Sequence, residues 1–217
     1  MSMPLRLMIP AGVALAVLTL TAGRLDVIRF WIWVGVIYLS AATIYTRLAQ
    51  VNPELAAERM KPPSDRDRAT RRLVALPFLA HLVLAGLDAR FGWSDVPLAL
   101  QLAGTMLVAL GFALVGWVLF TNPFASSAVR IQEDRGQHVV SSGPYALVRH
   151  PMYLAVLLFC LGSGPALGTW VGALALGPVV GIFVRRTWIE DRMLRNELAG
   201  YLDYAARVRW RVLPLVF

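Results

Sequence analysis

The fold is decided by residues 152–184, which read MYLAVLLFCLGSGPALGTWVGALALGPVVGIFV. This stretch is apolar over 33 residues, whereas one membrane crossing needs about 20. Pro165 lacks a backbone hydrogen-bond donor, and Gly162 and Gly164 beside it weaken a helix. The stretch therefore predicts a helical hairpin that turns near residues 162–168 and has a short first arm, residues 152–161.

Four further apolar segments precede this stretch, at residues 5–22, 27–49, 73–87 and 96–120. Hydrophobic residues make up 58% of the chain, and its mean hydropathy is +0.61. We expect an all-α integral membrane protein with four transmembrane helices, the C-terminal hairpin and a cytosolic C-terminal helix, without a Rossmann domain. The first segment resembles a secretory signal, but a second apolar segment follows at once, so we expect it to be retained.

The basic residues predict the orientation of the chain. They lie between the apolar segments rather than in one patch, which argues against nucleic acid as the partner of this chain of net charge +8. If the hairpin returns to its starting side, all but Arg24, Arg29 and Arg90 of the 21 Lys and Arg residues share one side. The positive-inside rule makes that side the cytosol and places both termini in it.

The chain is expected to divide into two parts. Residues 1–120 form the N-terminal transmembrane helices with a basic cytosolic loop at 50–72, in which Asn52-Pro53-Glu54-Leu55 predicts a short interfacial helix. Residues 121–217 form one structural unit of a loop, the hairpin and a C-terminal helix. Cys160 is the single cysteine, which excludes a disulfide or a Cys-based metal site within the chain. His81 lies mid-helix and predicts an interhelical hydrogen bond rather than a catalytic role.

A first polar motif precedes the hairpin and consists of Gly143-Pro144-Tyr145 followed by Arg149-His150-Pro151-Met152-Tyr153. Because proline favours the first turn of a helix, Pro151 predicts the start of the first arm, with His150 at its cap. A helix start has a positive dipole end that suits a ligand carboxylate, and Arg149 would add a charge-assisted contact. The structural alternative has Arg149 reaching the lipid headgroups and His150 capping the helix.

A second polar motif ends the hairpin and reads Arg185-Arg186-Thr187-Trp188-Ile189-Glu190-Asp191-Arg192-Met193-Leu194. If the helix continues out of the membrane, Arg186 and Glu190 form an i, i+4 pair, and Arg185 and Asp191 lie on another face. The alternative is a set of surface ion pairs beside Trp188 as an interfacial anchor. Because the two ends of a hairpin are adjacent, His150 and Glu190 are predicted to meet at one cytosolic mouth.

In their order and spacing these motifs resemble the isoprenylcysteine carboxyl methyltransferase family, which is related to the phospholipid methyltransferases. The resemblance runs from Arg130-Ile131-Gln132-Glu133-Asp134-Arg135-Gly136-Gln137 through both motifs to Tyr201, Tyr204, Arg207 and Pro214. Asn52-Pro53-Glu54-Leu55 resembles a loop of bacterial members. The resemblance therefore implies a location in the bacterial inner (cytoplasmic) membrane.

The resemblance also implies S-adenosylmethionine as cofactor and a cofactor-binding catalytic region at residues 121–217. In the family the His-Pro segment and the first acidic residue enclose the cofactor, which carries over to His150, Tyr153 and Glu190. Many members have a second Glu where this chain has Asp191, so the role of Asp191 stays open. The expected catalytic residues are Glu190, Arg186 and Arg149, and the expected cofactor-binding residues are His150, Tyr153, Tyr145, Pro151, Glu190 and His138.

The implied methyl acceptor is a lipidic or otherwise hydrophobic compound at the cytosolic membrane face, and no metal is expected. A carboxylate is the expected acceptor group, whereas a phospholipid amine, a small thiol and a quinone-like or isoprenoid compound stay open. A carboxylate is already ionised near neutral pH, but an amine requires Glu190 or a neighbour to take a proton. The non-enzyme alternatives are a membrane assembly factor and a small transporter; the nearly chargeless spans argue against the transporter.

Overall fold

The computed structural model describes residues 3–60, 65–126 and 130–216, and side chains are described for residues 5–60, 72–126 and 130–216 of these. All regular structure in these residues is helical, which confirms the predicted all-α class. The α-helices, in chain order, are α1 Met3–Ala22, α2 Ile28–Val51, α3 Pro53–Met60, α4 Asp65–Phe91, α5 Leu98–Thr121, α6 Pro151–Ala166, α7 Trp170–Ala175, α8 Gly177–Glu197 and α9 Tyr201–Arg207. Two short 3₁₀ turns, Glu133–Arg135 and Gly143–Ala146, lie between α5 and α6.

Five segments of the described chain are long and apolar enough to cross a membrane: Leu5–Ala22, Ile28–Val51, Arg72–Phe91, Leu98–Thr121 and Trp170–Glu197. The chain is therefore an integral membrane protein. Helix α6 is apolar but shorter, with 16 residues. The number of complete crossings stays a prediction.

The predicted loop at 50–72 is more helical than expected. Helix α3 occupies the place of the predicted interfacial helix, and the side-chain oxygen of Asn52 accepts a hydrogen bond from the Leu55 N–H at 3.0 Å at its start. Helix α4 begins at Asp65, eight residues before the predicted apolar segment, whereas its part that is apolar enough to cross a membrane begins at Arg72. Hydropathy marks where a helix can enter lipid, but a helix continues into water as far as its backbone allows. Residues 61–64 of the predicted loop lie outside the described residues.

The C-terminal hairpin is present, but its turn is later and tighter than predicted. Helix α6 continues through Pro165 to Ala166, and the chain turns at residues 167–169, where Gly168 has φ +71°. Pro165 is compatible with the end of a helix because it costs one hydrogen bond of the last turn. The Thr169 side chain then accepts the Gly172 N–H at 2.9 Å and caps α7. The second arm consists of α7 and α8, which meet at Leu176.

Helices α5 and α6 pack backbone against backbone. A Cβ atom added at Gly104 would lie 2.6 Å from the Gly162 carbonyl oxygen, and one added at Gly162 would lie 2.5 Å from the Gly104 carbonyl oxygen. Small residues permit this close approach, which is a common way for helices to associate in lipid. The contact fixes the first arm of the hairpin against α5.

Buried polar side chains tie the hairpin to α4. The two ring nitrogens of His81 lie 2.8 Å from the Gly172 carbonyl oxygen and 2.8 Å from the Ser163 hydroxyl, which confirms the predicted interhelical hydrogen bonding. Nearer the turn, the Asp88 carboxylate accepts hydrogen bonds from the Thr169 hydroxyl and from Ser94. The turn of the hairpin therefore has a fixed position.

Both polar motifs lie at the end of the bundle where α5 stops and α6 starts, here named the motif end. At this end the Arg59 guanidinium of α3 donates to the Tyr45 hydroxyl at 3.1 Å and to the Ala125 carbonyl at 2.7 Å. Arg130 donates to the buried Glu58 carboxylate at 3.1 Å. Helix α3 therefore holds the loop that follows α5.

Candidate functional site

A polar cleft lies at the motif end, between the loop after α5, the start of α6 and the second half of α8. Its volume is about 840 Å³ with its open mouth included. Of the predicted site residues, the following line this cleft: His138, Tyr145, Arg149, His150, Pro151, Tyr153 and Glu190. The hairpin thus brings His150 and Glu190 together, as predicted.

His150 and Tyr153 form the aromatic wall of the cleft. Pro151 is the first residue of α6 and His150 is its N-cap, as the motif predicts, although the imidazole makes no cap hydrogen bond. The imidazole stacks on the Tyr153 ring, with centroids 5.7 Å apart and planes 13° from parallel. Stacked faces carry negative quadrupole charge and are suited to a cationic ligand.

Glu190 lies opposite this wall and is held by Tyr153, whose hydroxyl donates a short hydrogen bond to its carboxylate. The Tyr153 ring also meets the ring of Phe183 edge-on, at 5.4 Å. Arg186, one turn before Glu190, carries its charge close to the Tyr153 hydroxyl and stands 5.9 Å from the Phe183 ring centre. Arg186 is thus beside the cleft rather than in its lining.

Asp191, the second residue of the acidic pair, is a buried hub. Its carboxylate accepts hydrogen bonds from Arg149, from Arg195 at 3.0 Å, from Tyr201 at 3.0 Å and from Arg211 at 3.2 Å. The His150 Nε2 atom lies 3.5 Å from the same carboxylate. Nothing in the local sequence signals this, because four of these partners come from other segments or helices.

The Arg149 guanidinium is hydrogen-bonded to other groups of the protein. Its Nε and Nη2 donate to Asp191 at 2.8 and 3.2 Å, and its Nη1 donates to the carbonyls of Val208 and Arg209 at 2.8 and 2.7 Å. Four of its five N–H donors are therefore occupied by protein acceptors. Its catalytic role stays a prediction, and its geometry is that of a residue that positions others.

The C-terminal tail, residues 208–216, pairs with the first motif through its backbone. The Arg149 N–H donates to the Trp210 carbonyl at 2.9 Å, and the His150 N–H donates to the Arg211 carbonyl at 2.7 Å. The Arg211 guanidinium also lies over the Trp188 ring, 4.1 Å from its centre. The tail therefore fixes the residues immediately before α6.

Three tyrosines also line the cleft, of which Tyr201 and Tyr204 are buried and Tyr145 is half-buried. The Tyr145 hydroxyl accepts from the Asn122 amide at 2.9 Å, and the Tyr204 hydroxyl donates to the Tyr145 carbonyl at 2.8 Å. Burial raises the pKa of Tyr145, Tyr201 and Tyr204 well above the usual value for tyrosine. All three hydroxyls are therefore neutral hydrogen-bonding groups near pH 7.

His138 lines the outer side of the cleft, as predicted. Its ring meets Phe124 edge-on with centroids 4.9 Å apart, and its Nδ1 lies 3.3 Å from the Gly136 carbonyl. Arg130, held by Glu58 of α3, lines the same side. Neither Phe124 nor Arg130 was among the predicted site residues.

An apolar groove adjoins the cleft, between α6 and α8, and Tyr153 lines both. Its volume is about 950 Å³ including open space. The other lining residues are Leu154, Leu157, Leu158, Leu161, Val180, Phe183, Val184, Thr187, Val212 and Leu213. The sequence did not predict this groove, since leucines and valines in a membrane helix are equally typical of lipid contact.

Comparison with known proteins supports the resemblance that the motifs suggested. A family model for phospholipid methyltransferases matches residues 100–199. The chain is 26% identical over 136 residues to protein-S-isoprenylcysteine O-methyltransferase B of Arabidopsis thaliana, which covers 61% of this chain and 66% of that protein. It is 27% identical over 139 residues to protein-S-isoprenylcysteine O-methyltransferase A of the same plant, covering 63% and 68%. These matches show that the chain is similar to the isoprenylcysteine and phospholipid methyltransferases.

The chain is also similar to the cobalt-zinc-cadmium resistance protein CzcN of Cupriavidus metallidurans. The two are 34% identical over 106 residues, which is 47% of each protein. The matched regions thus span from about half to two thirds of the length of these curated relatives.

The region shared with the methyltransferase family coincides with most of the cleft. Residues 100–199 run from α5 to the end of α8 and include all the predicted site residues, whereas α9 and the C-terminal tail lie beyond that match. Among the described residues, no group of three or more His, Cys, Asp or Glu is placed to hold a metal ion.

Proposed function

We propose that this chain is an S-adenosylmethionine-dependent methyltransferase that methylates a hydrophobic or lipidic acceptor at the cytosolic face of the bacterial inner membrane. One observation carries the proposal: a polar cleft and an apolar groove meet at a single residue, Tyr153. A water-soluble methyl donor and a lipid-soluble acceptor require such a pair of adjoining sites. The similarity to methyltransferases supports methyl transfer as the reaction.

The residues of the cleft suit S-adenosylmethionine. The stacked faces of His150 and Tyr153 and the carboxylate of Glu190 form a cation-favouring wall, which matches a sulfonium. His138 and Tyr145 would border the rest of the cofactor, and Pro151 shapes the wall at the helix start. When bound, the cofactor supplies an electrophilic methyl group.

The task of the protein is then to align the acceptor and to exclude water. The groove provides a dry approach to Tyr153, and alignment can lower the barrier by several kcal/mol. We favour a carboxylate as the acceptor group. An ionised carboxylate needs no base. If the acceptor is an amine, Glu190 is the residue placed to take its proton.

Asp191 and Arg149 act indirectly in this scheme. They fix the backbone on both sides of His150 and so hold the aromatic wall against α8. We propose that residues 121–217 form the catalytic region and that residues 1–120 form the N-terminal transmembrane helices. Helix α3 links them through Glu58 and Arg59.

Cofactor binding is the first test. S-adenosylhomocysteine at about one hundred times its Kd should stabilise the detergent-solubilised wild-type protein by about 2.7 kcal/mol. Titration calorimetry should show that Glu190→Gln and His150→Ala lose most of this affinity. Glu197→Gln, an exposed change on the same helix outside the cleft, is the matched control. A folded wild type that shows no stabilisation refutes the function, and full affinity in both cleft variants refutes the site.

The acceptor group is the second test. The protein is incubated with methyl-labelled cofactor and a host lipid extract, and the labelled lipid is treated with mild base. A methyl ester releases labelled methanol, whereas methyl groups on nitrogen or on a thioether sulfur stay attached. If the label is stable to base, the acceptor group is an amine or a thiol rather than a carboxylate.

The orientation is tested by single cysteines and a membrane-impermeant maleimide. Leu147→Cys and Leu215→Cys, both exposed at the motif end, should react only from the cytosolic side. Leu25→Cys, exposed at the opposite end, should react only from the other side. Reaction of residues 147 and 215 from opposite sides would overturn the hairpin topology.

A further inference from the structure

The C-terminal tail does more than close the fold, because two of its side chains enter the apolar groove. Four consecutive carbonyls, from residue 208 to residue 211, accept hydrogen bonds from Arg149 and His150. Arg211 adds its bond to Asp191 and its contact with Trp188. This anchoring delivers the next two residues, Val212 and Leu213, to the groove wall.

Val212 and Leu213 occupy different depths of that wall. Val212 is only 3% exposed, so its side chain is a fixed part of the wall, whereas Leu213 is 37% exposed and stands at the edge of the groove. Tyr153 and Thr187 are the residues of α6 and α8 closest to the cleft in this lining. Tyr153, Thr187 and the tail residues therefore line the groove near its junction with the cleft.

The dimensions and chemistry of the groove favour one kind of occupant. From Tyr153 to Leu161 the α6 wall rises by eight residue steps, or roughly 12 Å at 1.5 Å per residue. Leucine, valine and phenylalanine supply most of this wall, and its polar group, the Thr187 hydroxyl, already donates to the Phe183 carbonyl at 2.9 Å. A slender apolar chain whose reactive end reaches Tyr153 fits this arrangement.

We infer that the C-terminal tail determines acceptor specificity, with Leu213 and Val212 setting which apolar chain fits between α6 and α8. The inference rests on the proposed function and names the substrate class as a lipid with a slender apolar chain whose reactive end lies at the cleft. The tail lies outside the region that the phospholipid methyltransferase family model matches. Val212 and Leu213 thus form one wall of the groove beside the cleft.

The test uses a straight-chain fatty acid that carries a diazirine, bound to the full-length protein in nanodiscs. Photolabelling should be saturable and should fall on the α6 wall and on residues 212–213. Leu213→Trp should weaken binding of long straight-chain competitors roughly tenfold or more, since one added group in an apolar pocket has that effect. Leu213→Ala should improve competition by branched chains. Leu215→Ala, in the same tail but 84% exposed and outside the groove, should behave as wild type.

Affinity for S-adenosylhomocysteine and label transfer to host lipid are measured on the same samples. Unchanged cofactor affinity shows that the Leu213 variants are folded. If wild type binds the cofactor and transfers methyl groups while both Leu213 variants keep its chain preference, the tail inference is wrong and the function stands. Diffuse, unsaturable labelling of all lipid-facing helices also overturns the inference. If wild type binds no cofactor, the function fails, and the specificity role fails with it.

Discussion

Replacing Asp191 by asparagine should destabilise the protein strongly, although the two side chains are nearly the same size. The change removes the negative charge at the centre of the hub and leaves the Arg149 guanidinium, which is 4% exposed, without a counter-ion. A buried cation cannot recover its hydration, so the loss is larger than the value of a surface ion pair.

The magnitude can be apportioned among the partners. Breaking a buried pair such as Arg149–Asp191 costs about 3–5 kcal/mol. The bonds to Arg195 and Arg211, whose side chains are 38% and 25% exposed, add at most about 1 kcal/mol each. The total loss is therefore about 3–7 kcal/mol, and at about 2–4 °C per kcal/mol for a chain of this size Tm should fall by about 6–28 °C.

Thermal unfolding in detergent, followed by circular dichroism, measures this change. Arg149→Met should be similarly unstable, and the double variant should be more stable than the sum of the single losses implies, because no charge is then left unpaired. Glu190→Gln, the neighbouring carboxylate, should change Tm far less while it removes cofactor affinity. An Asp191→Asn protein within about 0.5 kcal/mol of wild type, the range of ordinary surface substitutions, would refute the buried hub.

Three further predictions concern packing and pH. Gly104→Ala should lower the free energy of unfolding by about 1–3 kcal/mol because the new Cβ would lie 2.6 Å from the α6 backbone. Gly12→Ala is the control and should be neutral, because no atom lies within 4 Å of its new Cβ. Equal Tm values for the two variants would contradict the packing. His81→Ala should lower Tm by leaving two buried groups unpaired, yet calorimetry should show unchanged cofactor affinity. Because the folded pKa of Tyr201 is raised, its stabilisation is complete below about pH 10 and is lost as pH rises further. Tyr201→Phe should therefore flatten the alkaline fall of Tm, and an unchanged slope would count against the burial of this hydroxyl.

Features set by local chemistry were predictable from the sequence. Apolar runs located the membrane helices, Pro151 marked the start of α6, and the excess of positive charge on one side required a hairpin. The same logic misplaced the turn, because Pro165 was taken as the break although a proline near a helix end is tolerated.

Features set by long-range contacts were not predictable. Asp191 looked like one of a pair of surface acids, and only the folded chain brings Arg149, Tyr201 and Arg211 to it. The groove was likewise hidden, since its lining is made of ordinary membrane residues from three separate segments. The site residues came mostly from the family resemblance, and their roles await the binding experiments.

The glycine contact between α5 and α6 has a mechanical consequence. At Gly104 and Gly162 the backbones of α5 and α6 touch, so no side chain lies between the two helices there to rearrange. Helix α8 faces α6 across leucine and valine side chains, which can change rotamer, and it is therefore the compliant wall. If α8 moves away from α6, Asp191 moves with it. Through Arg149, this movement also displaces the part of the C-terminal tail that is hydrogen-bonded to residues 149 and 150. A movement of α8 would therefore change the apolar groove and the polar cleft together.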